Sequence, residues 1–400
     1  MKILLVSQYF YPENFKINDL IFSLKKRGHD ITVLTGKPNY SKTTFFEGYG
    51  WESDDFENIH DIPVYRANLF ARRKGSPVRL FLNYISFAAF ATLKVRKIKG
   101  SFDLIFVYQT SPVTVGIPAI FAKKIFKAPI YFWVQDLWPE SLKAAGGITN
   151  KYILGFFNWL TIWMYNHSRK VLIQSDGFRE YIMKQGISDN KIVYYPNPTE
   201  IFYTPLTGLK KYSEFFEKKF FNIVFAGNIG EAQSFDTIIG AMSLVKNLPV
   251  KVIVLGEGRF KETALSLIHK NGLESHFNFL GSYPSTEMPI FFSHADALLV
   301  SLKKEKIFSL TIPAKVQSYL ACGKPIIGSL DGSGAKVLIE AKCGFVSPAE
   351  DIIQLSQSIK EMMLLDKNKL KEMGNNGRYY YNKEFDRKFL LDRLEKILNS

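Results

Sequence analysis

KILLVSQYFYPENFKINDLIFSLKKRGHDITVL, residues 2–34, decides the fold. Lys2-Ile3-Leu4-Leu5-Val6 is a nearly continuous apolar run ending in turn-prone residues, the pattern of a strand covered on both faces. Ile17, Leu20, Ile21 and Leu24 then recur at helical spacing. Gly28-His29 leads directly into a second apolar run, Asp30-Ile31-Thr32-Val33-Leu34. Strand, helix and strand joined this tightly predict a parallel βαβ unit.

Outward from this unit the pattern repeats. Buried strands are expected at 104–107, 130–134 and 171–173, with helices around 79–98, 114–126 and 152–167. Pro196-Asn197-Pro198 and the lysine-rich stretch to Lys219 break the periodicity and predict a linker. A second series follows, with strands at 222–226, 250–254, 277–280, 297–300 and 325–327. They alternate with helices near 234–246, 260–271, 286–293, 313–321 and 351–363. The class is α/β: two doubly wound sheets, in domains 1–200 and 201–383. A helix at about 384–398 is expected to cross back to the first. A chain of 400 residues exceeds what one core usually serves, which agrees with two. Ligands of such sheets sit outside the carboxyl ends of the strands, so the two crevices are expected to face each other across a cleft.

A hydrophobic share of 46% with 22% charged residues fills two cores and excludes a mainly disordered chain. The net charge of +15 is uneven: between His60 and Ile130 stand twelve basic residues against Asp61 and Asp103. Leu80-Phe81-Leu82, Tyr84-Ile85 and Phe87 lie among them, apolar rather than spaced for base stacking. The patch at 60–130 therefore suits an anionic membrane surface and argues against nucleic acid. A solvated basic surface is the alternative. Aromatic residues make 15% of the chain, which fits a lipid interface or an AT-rich coding sequence equally. Cys322 and Cys343, without a CxxC or a histidine cluster, predict neither a disulfide scaffold nor a zinc site. The first eight residues lack a signal peptide's apolar length, which points to the cytoplasm. The run Tyr152 to Tyr165 is too short to span a bilayer and reads as a buried or interfacial helix.

Tyr11-Pro12-Glu13 before a helix, the run Lys26 to Leu34, and Gln135-Asp136-Leu137-Trp138-Pro139-Glu140-Ser141 form an ordered set in the first half. Phe225-Ala226-Gly227-Asn228-Ile229-Gly230-Glu231-Ala232-Gln233 joins it in the second. Together they resemble the retaining GT-B glycosyltransferases of family four, over almost the whole chain. Thr35 to Tyr40, and Thr311-Ile312-Pro313-Ala314-Lys315 through Tyr319-Leu320-Ala321-Cys322-Gly323-Lys324-Pro325, resemble a subgroup that includes bacterial N-acetyl-L-fucosamine transferases.

The resemblance implies two Rossmann-like domains, the first for the acceptor and the second for the nucleotide-sugar. It implies a UDP-sugar donor such as UDP-N-acetyl-L-fucosamine and a lipid-linked saccharide acceptor in surface-polysaccharide synthesis. The enzyme would sit peripherally on the inner face of the cell membrane, retain the anomeric configuration and need neither metal nor cofactor. The chain departs from the family pattern in places. The phosphate-loop arginine and lysine fall on Asn228 and Gln233, and two glutamates eight residues apart fall on Leu310 and Ser318. A histidine that helps hold the transferred sugar falls on Gln135, beside Asp136.

Transfer from a nucleotide-sugar needs positive charge and N–H dipoles aimed at the departing diphosphate. Ser309, Leu310, Thr311 and Ile312 are expected at the start of a helix with Pro313 in its first turn, where amides hold phosphate. Lys315 there, and Lys16 after the first strand, are the cations expected to replace the missing pair. Gly230 is expected to use left-handed freedom for close approach, with Asn228 and Gln233 as neutral donors. Glu257 lies in a turn beside the nucleotide, and Tyr283, in the loop from Leu280 to Pro284, offers a ring to the base. Ser318 stands at the ribose-binding position. Asp136 and Glu140, flanking Trp138, are the acceptor-side carboxylates.

Each residue has a plainer reading: Asp136 as a helix cap, Lys16 and Lys315 as helical lysines, the glycines as ordinary turns. Two other functions are compatible with the pattern. A catalytically inactive nucleotide-sugar binder would explain the lost charges. A GT-B epimerase or phosphorylase would need a signature that is not seen.

Overall fold

A computed structural model describes residues 1–40, 42, 44–72, 77–142 and 149–400. The chain divides into two units: Met1–Pro196 together with Leu391–Ser400, and Asn197–Leu390.

The first unit is built on eight strands: β1 (Lys2–Ser7), β2 (Asp30–Gly36), β3 (Phe56–Ile59), β4 (Ile62–Ala67), β5 (Leu104–Gln109), β6 (Ile130–Val134), β7 (Lys170–Ile173) and β8 (Ile192–Tyr194). Their order is β3-β4-β2-β1-β5-β6-β7-β8. All neighbours are parallel except the β3–β4 hairpin. The sequence pattern misses this hairpin because Pro63 and Arg66 interrupt its apolar run. Arg66 is fully buried, ion-paired with Glu57 and donating to the carbonyl of Gly36 at 3.1 Å.

The second unit carries β9 (Phe221–Ala226), β10 (Val250–Leu255), β11 (Phe277–Gly281), β12 (Ala297–Ser301), β13 (Ile326–Ser329) and β14 (Gly344–Ser347). They lie in the order β11-β10-β9-β12-β13-β14, all parallel. Val224, Ile253, Leu298 and Val300 face one core cluster. Ile223, Phe225, Val252, Val254 and Leu299 face another on the opposite side. Helices cover both faces, so successive side chains are all buried and the strands read as unbroken apolar runs.

The stretch 197–219, expected as a linker, belongs to the second unit. Tyr203, Tyr212, Phe215 and Phe216 pack against its core, and Tyr212 stacks on Phe291 with centroids 4.1 Å apart. The aromatic residues among the lysines hold it there. The closing helix is Arg387–Leu398, and from Leu391 the chain is again part of the first unit. Leu394 and Leu398 are buried, and Arg27 reaches Asp392 at 2.6 Å and Glu395 at 2.8 Å.

The basic patch at 60–130 is smaller than the sequence suggests. Arg66 is buried, Lys94 is nearly so and paired with Asp55, and Phe87 is wholly buried. Arg73 and Lys74 lie outside the described residues. Phe81, Leu82 and Ile85 remain exposed. Among the described residues one helix, Pro77–Val95, is long and apolar enough to cross a membrane, with 39% of its apolar window buried in the protein.

Candidate functional site

In the second unit β9 has β10 on one side and β12 on the other, so the chain's direction of travel reverses at β9 and a crevice opens beyond the strand ends. Two glycine loops meet there. Gly227, at φ +141°, follows β9, and Gly256, at φ +142°, follows β10. A Cβ on Gly256 would lie 1.9 Å from the Gly227 carbonyl oxygen, so only glycine permits this approach. Ile229 N–H donates to the Glu257 carbonyl at 2.9 Å, tying the two loops.

Lys315 projects onto this floor from the first turn of the helix Ala314–Cys322. Its Nζ lies 4.2 Å from the centroid of the Phe225 ring and donates to Gln233 Oε1 at 2.7 Å. Among the described residues no carboxylate pairs with it. Desolvation without a counter-ion lowers its pKa to about 7. The adjacent helix N-terminus has no side-chain cap. A part-buried cation, helix amides and a close-packed glycine floor suit an anion, and among the described residues no carboxylate neutralises them.

Several sequence expectations change here. Gly230 is extended (φ −120°, ψ 170°), not left-handed; a Cβ on it would meet Asn228 Nδ2 at 2.5 Å, so its role is room for the Asn228 side chain. Ser309 and Thr311 do not open the Lys315 helix. They belong to a separate turn, Lys306–Leu310, which Thr311 closes, and Pro313 is the cap rather than a first-turn residue. Their hydroxyls bond back to the carbonyls of Lys306 at 2.8 Å and Ile307 at 2.9 Å. Ser318 likewise donates to the Ala314 carbonyl at 3.2 Å, and it lies beside Tyr203. Tyr283 packs edge-on against Phe291 at 4.7 Å and Tyr212 at 5.4 Å, as part of the aromatic cluster under 197–219. Glu257 pairs with Lys261 at 2.9 Å, and its Oε1 is 3.4 Å from where a Cβ on Gly281 would sit, beside the end of β11. Asn228 is exposed. Of the predicted donor residues the structure thus joins Lys315 and Gln233, with Asn228, Gly230 and Glu257 in the adjoining loops.

In the first unit the reversal falls at β1, between β2 and β5. The residues just past the strands are neutral amides and a hydroxyl: Gln8 after β1, Gln109 ending β5, Gln135 after β6, and Gln174-Ser175 after β7. Among the described residues none partners a buried polar atom of each, namely Gln8 Oε1, Gln109 Oε1, Gln135 Nε2, Gln174 Oε1 and Ser175 Oγ. Five such atoms past the strand ends of one sheet suit a hydroxyl-rich ligand. The sequence reading missed this row, although glutamine or serine ending four apolar runs was its visible signal.

Asp136 stands beside the row, where Gln109 Nε2 donates to its carbonyl at 3.1 Å. Its carboxyl lies beside the Ser111 side chain, which favours the charged form. Desolvation, only partly offset by Ser111, raises its pKa to about 6, a value suited to proton exchange near neutrality. Glu140 accepts from the Tyr181 hydroxyl at 3.1 Å, one turn further on. Lys16 opens the helix Lys16–Lys26, preceded by Phe15, whose ring stacks on Tyr9 at 4.8 Å. Glu13, from the Tyr11-Pro12-Glu13 motif, is structural. Its buried carboxylate accepts the amides of Asn39 at 2.8 Å and Tyr40 at 2.6 Å. Among the described residues no cluster of histidine, cysteine and carboxylate groups fits a metal ion.

Two family models match these two units. The "Glycosyl transferase 4-like domain" covers residues 16–198, and "Glycosyl transferases group 1" covers 209–380. The chain belongs to the group 1 glycosyltransferases. As in other members of this GT-B class, each half is a Rossmann-like domain. The group 1 chain is 27% identical over 250 residues to the probable glycosyltransferase WbjE of Pseudomonas aeruginosa, covering 59% of this chain and 60% of that one. It is 24% identical over 345 residues to the putative colanic acid biosynthesis glycosyl transferase WcaI of Escherichia coli, covering 81% and 82%. Among solved structures it is similar to Anabaena Alr3699/HepE in complex with UDP and glucose, with TM-score 0.71, 16% identity and 100% of both chains covered. It is also similar to the sucrose-phosphate synthase of Thermosynechococcus elongatus, with TM-score 0.77, 14% identity, and 100% and 98% covered.

Proposed function

We propose that this glycosyltransferase moves a sugar from a UDP-sugar onto a lipid-linked saccharide in bacterial surface-polysaccharide synthesis, with retention at the anomeric carbon. The observation that carries the donor side is Lys315, a cation without a counter-ion at the strand-end crevice of the second unit. Bound diphosphate is the partner that this seat lacks, and the charge on it grows as the sugar leaves. Neighbours solved with UDP, such as the Anabaena protein, support the choice of nucleotide. UDP-N-acetyl-L-fucosamine is the donor the subgroup resemblance favours. The names of WbjE and WcaI support a role in polysaccharide assembly.

In this reading the row of amides in the first unit holds acceptor hydroxyls, and Asp136 accepts a hydrogen bond from the attacking one. The new C1–O bond forms on the face from which the C1–O bond to phosphate breaks, and the hydroxyl proton passes to the departing diphosphate. Glu140 steadies the turn that carries Asp136 and Trp138. No metal takes part in this proposal. The site would work at a membrane face, reached through the exposed side of the helix Pro77–Val95.

Calorimetric titration with UDP, together with turnover on a panel of UDP-sugars, tests the reading. Binding of UDP and release of UDP only when acceptor is present are expected. Absence of UDP binding would overturn it. UDP binding without turnover of any donor favours instead the inactive binder suggested by Asn228, Gln233, Leu310 and Ser318.

A further inference from the structure

The first unit contains an apolar pocket of about 410 Å³ that the donor and sugar sites leave unused. Phe81, Tyr84 and Ile85 of the helix Pro77–Val95 form one wall, and Ile153 and Phe157 of the helix Lys151–His167 form the other. Trp138 closes it, with its ring centroid 5.3 Å from Phe157. The indole N–H donates to Ser111 Oγ at 3.1 Å, so the ring face turned to the pocket has no unmet polar demand.

The two ends differ. At one, the Tyr84 hydroxyl accepts from Arg72 Nη2 at 3.2 Å. The Arg72 guanidinium lies 4.9 to 5.4 Å from the ring centroids of Tyr9, Tyr40 and Tyr84. Its Nε is buried without an acceptor, and among the described residues no carboxylate pairs with it. At the other end Ile153 is 42% exposed and leads to Tyr152, Phe156 and Trp159, exposed by 77%, 54% and 58%. Exposed aromatic groups at this density on one helix fit a lipid interface.

A ligand that satisfies both ends must be hydrocarbon along its length and anionic at its head. We infer that the pocket seats the proximal hydrocarbon of a phosphate-bearing lipid carrier, with Arg72 beside the phosphate. The assignment rests on the reading of a lipid-linked acceptor and adds where its chain enters. Asp136 lies close by, beside Ser111 of the same pocket wall, so the sugar attached to the head group would meet the amide row. The volume falls in the range of small-molecule sites and the lining is overwhelmingly apolar, as hydrocarbon binding requires.

The test is calorimetric titration of the full chain, below micelle-forming concentration, with farnesyl phosphate, farnesol and inorganic phosphate. Farnesyl phosphate should bind at least tenfold more tightly than either of the others. Ile153→Trp, a filling substitution at an exposed position, should weaken it about tenfold, as should Phe81→Asp. Arg72→Gln should erase the preference for farnesyl phosphate over farnesol. Circular dichroism and the thermal unfolding transition of every variant report whether the first unit, which carries all three positions, is intact. Farnesyl phosphate binding no tighter than phosphate, or unchanged by Ile153→Trp, would overturn the pocket. If UDP binds and farnesyl phosphate does not, the pocket alone is wrong. If farnesyl phosphate binds and UDP does not, the pocket stands and the transferase reading falls.

Discussion

The strand-end crevices of the two units are built on the same sheet logic but stocked with opposite chemistry. The first holds neutral amides and one carboxyl, Asp136, raised to about 6; the second holds glycine loops and one ammonium, Lys315, lowered to about 7. Desolvation drives both shifts, and because it penalises whichever form is charged, it pushes acid and base toward one another. Each group is thereby poised to exchange a proton or meet a charge near neutral pH. The lesson is that a missing partner is the informative feature: among the described residues neither group meets an opposite charge.

The contrast can be broken most severely at Lys315. Lys315→Met should reduce turnover by on the order of 10²–10³-fold, the usual cost of one lost charge-stabilising donor. UDP affinity should fall roughly 10- to 100-fold with it. Turnover within threefold of the parent would remove Lys315 from the donor site. Asp136→Asn comes next, with turnover reduced about 10²-fold and UDP affinity unchanged. In the parent, turnover should rise with pH through about 6 as the carboxyl ionises, and that limb should vanish in Asp136→Asn. An unchanged pH profile would return Asp136 to a structural role.

The opposite sign of the two shifts gives a sharper test. Above about 7 Lys315 is largely neutral in the free protein, so binding a diphosphate should take up a proton. Titrations in buffers of different ionisation enthalpy should show uptake approaching one proton at pH 8 and little at pH 6. The linkage to stability runs the same way. The folded pKa is depressed, so the unfolded chain binds more protons between about 7 and the ordinary lysine value. Stability should therefore rise with pH across that window, and Lys315→Met should flatten the rise. The smallest effect is expected at exposed Asn228. Asn228→Arg, which adds a positive charge to this loop, should tighten UDP binding about threefold in low salt and less in high salt. Weaker binding would mean the loop does not face the diphosphate.

Much of this was legible beforehand, for reasons that differ by residue. The βαβ pattern of 2–34 survives because strands buried on both faces must be apolar throughout, and both sheets follow from it. The β3–β4 hairpin was hidden by Arg66, whose burial depends on Glu57 and on carbonyls at distant positions, information that no local pattern carries. The place of Lys315 in a helix's first turn was legible from the proline two residues before it. The displacement of Ser309 and Thr311 was not, because a break at Thr311 and Pro313 splits one expected helix start into two elements. The aromatic residues of 197–219 were visible, but polar neighbours made the stretch look like a spacer until Tyr212 was seen on Phe291.

The return of the chain at Leu391 sets an order of events during synthesis. The second unit, Asn197–Leu390, is one continuous stretch and is complete as soon as its own residues have left the ribosome. The first unit, although begun earlier, still lacks the segment that brings Leu394 into its core and Glu395 to Arg27 and His29. The half made first is therefore the half finished last, and until then the sheet beside Asp136 waits on an incomplete scaffold.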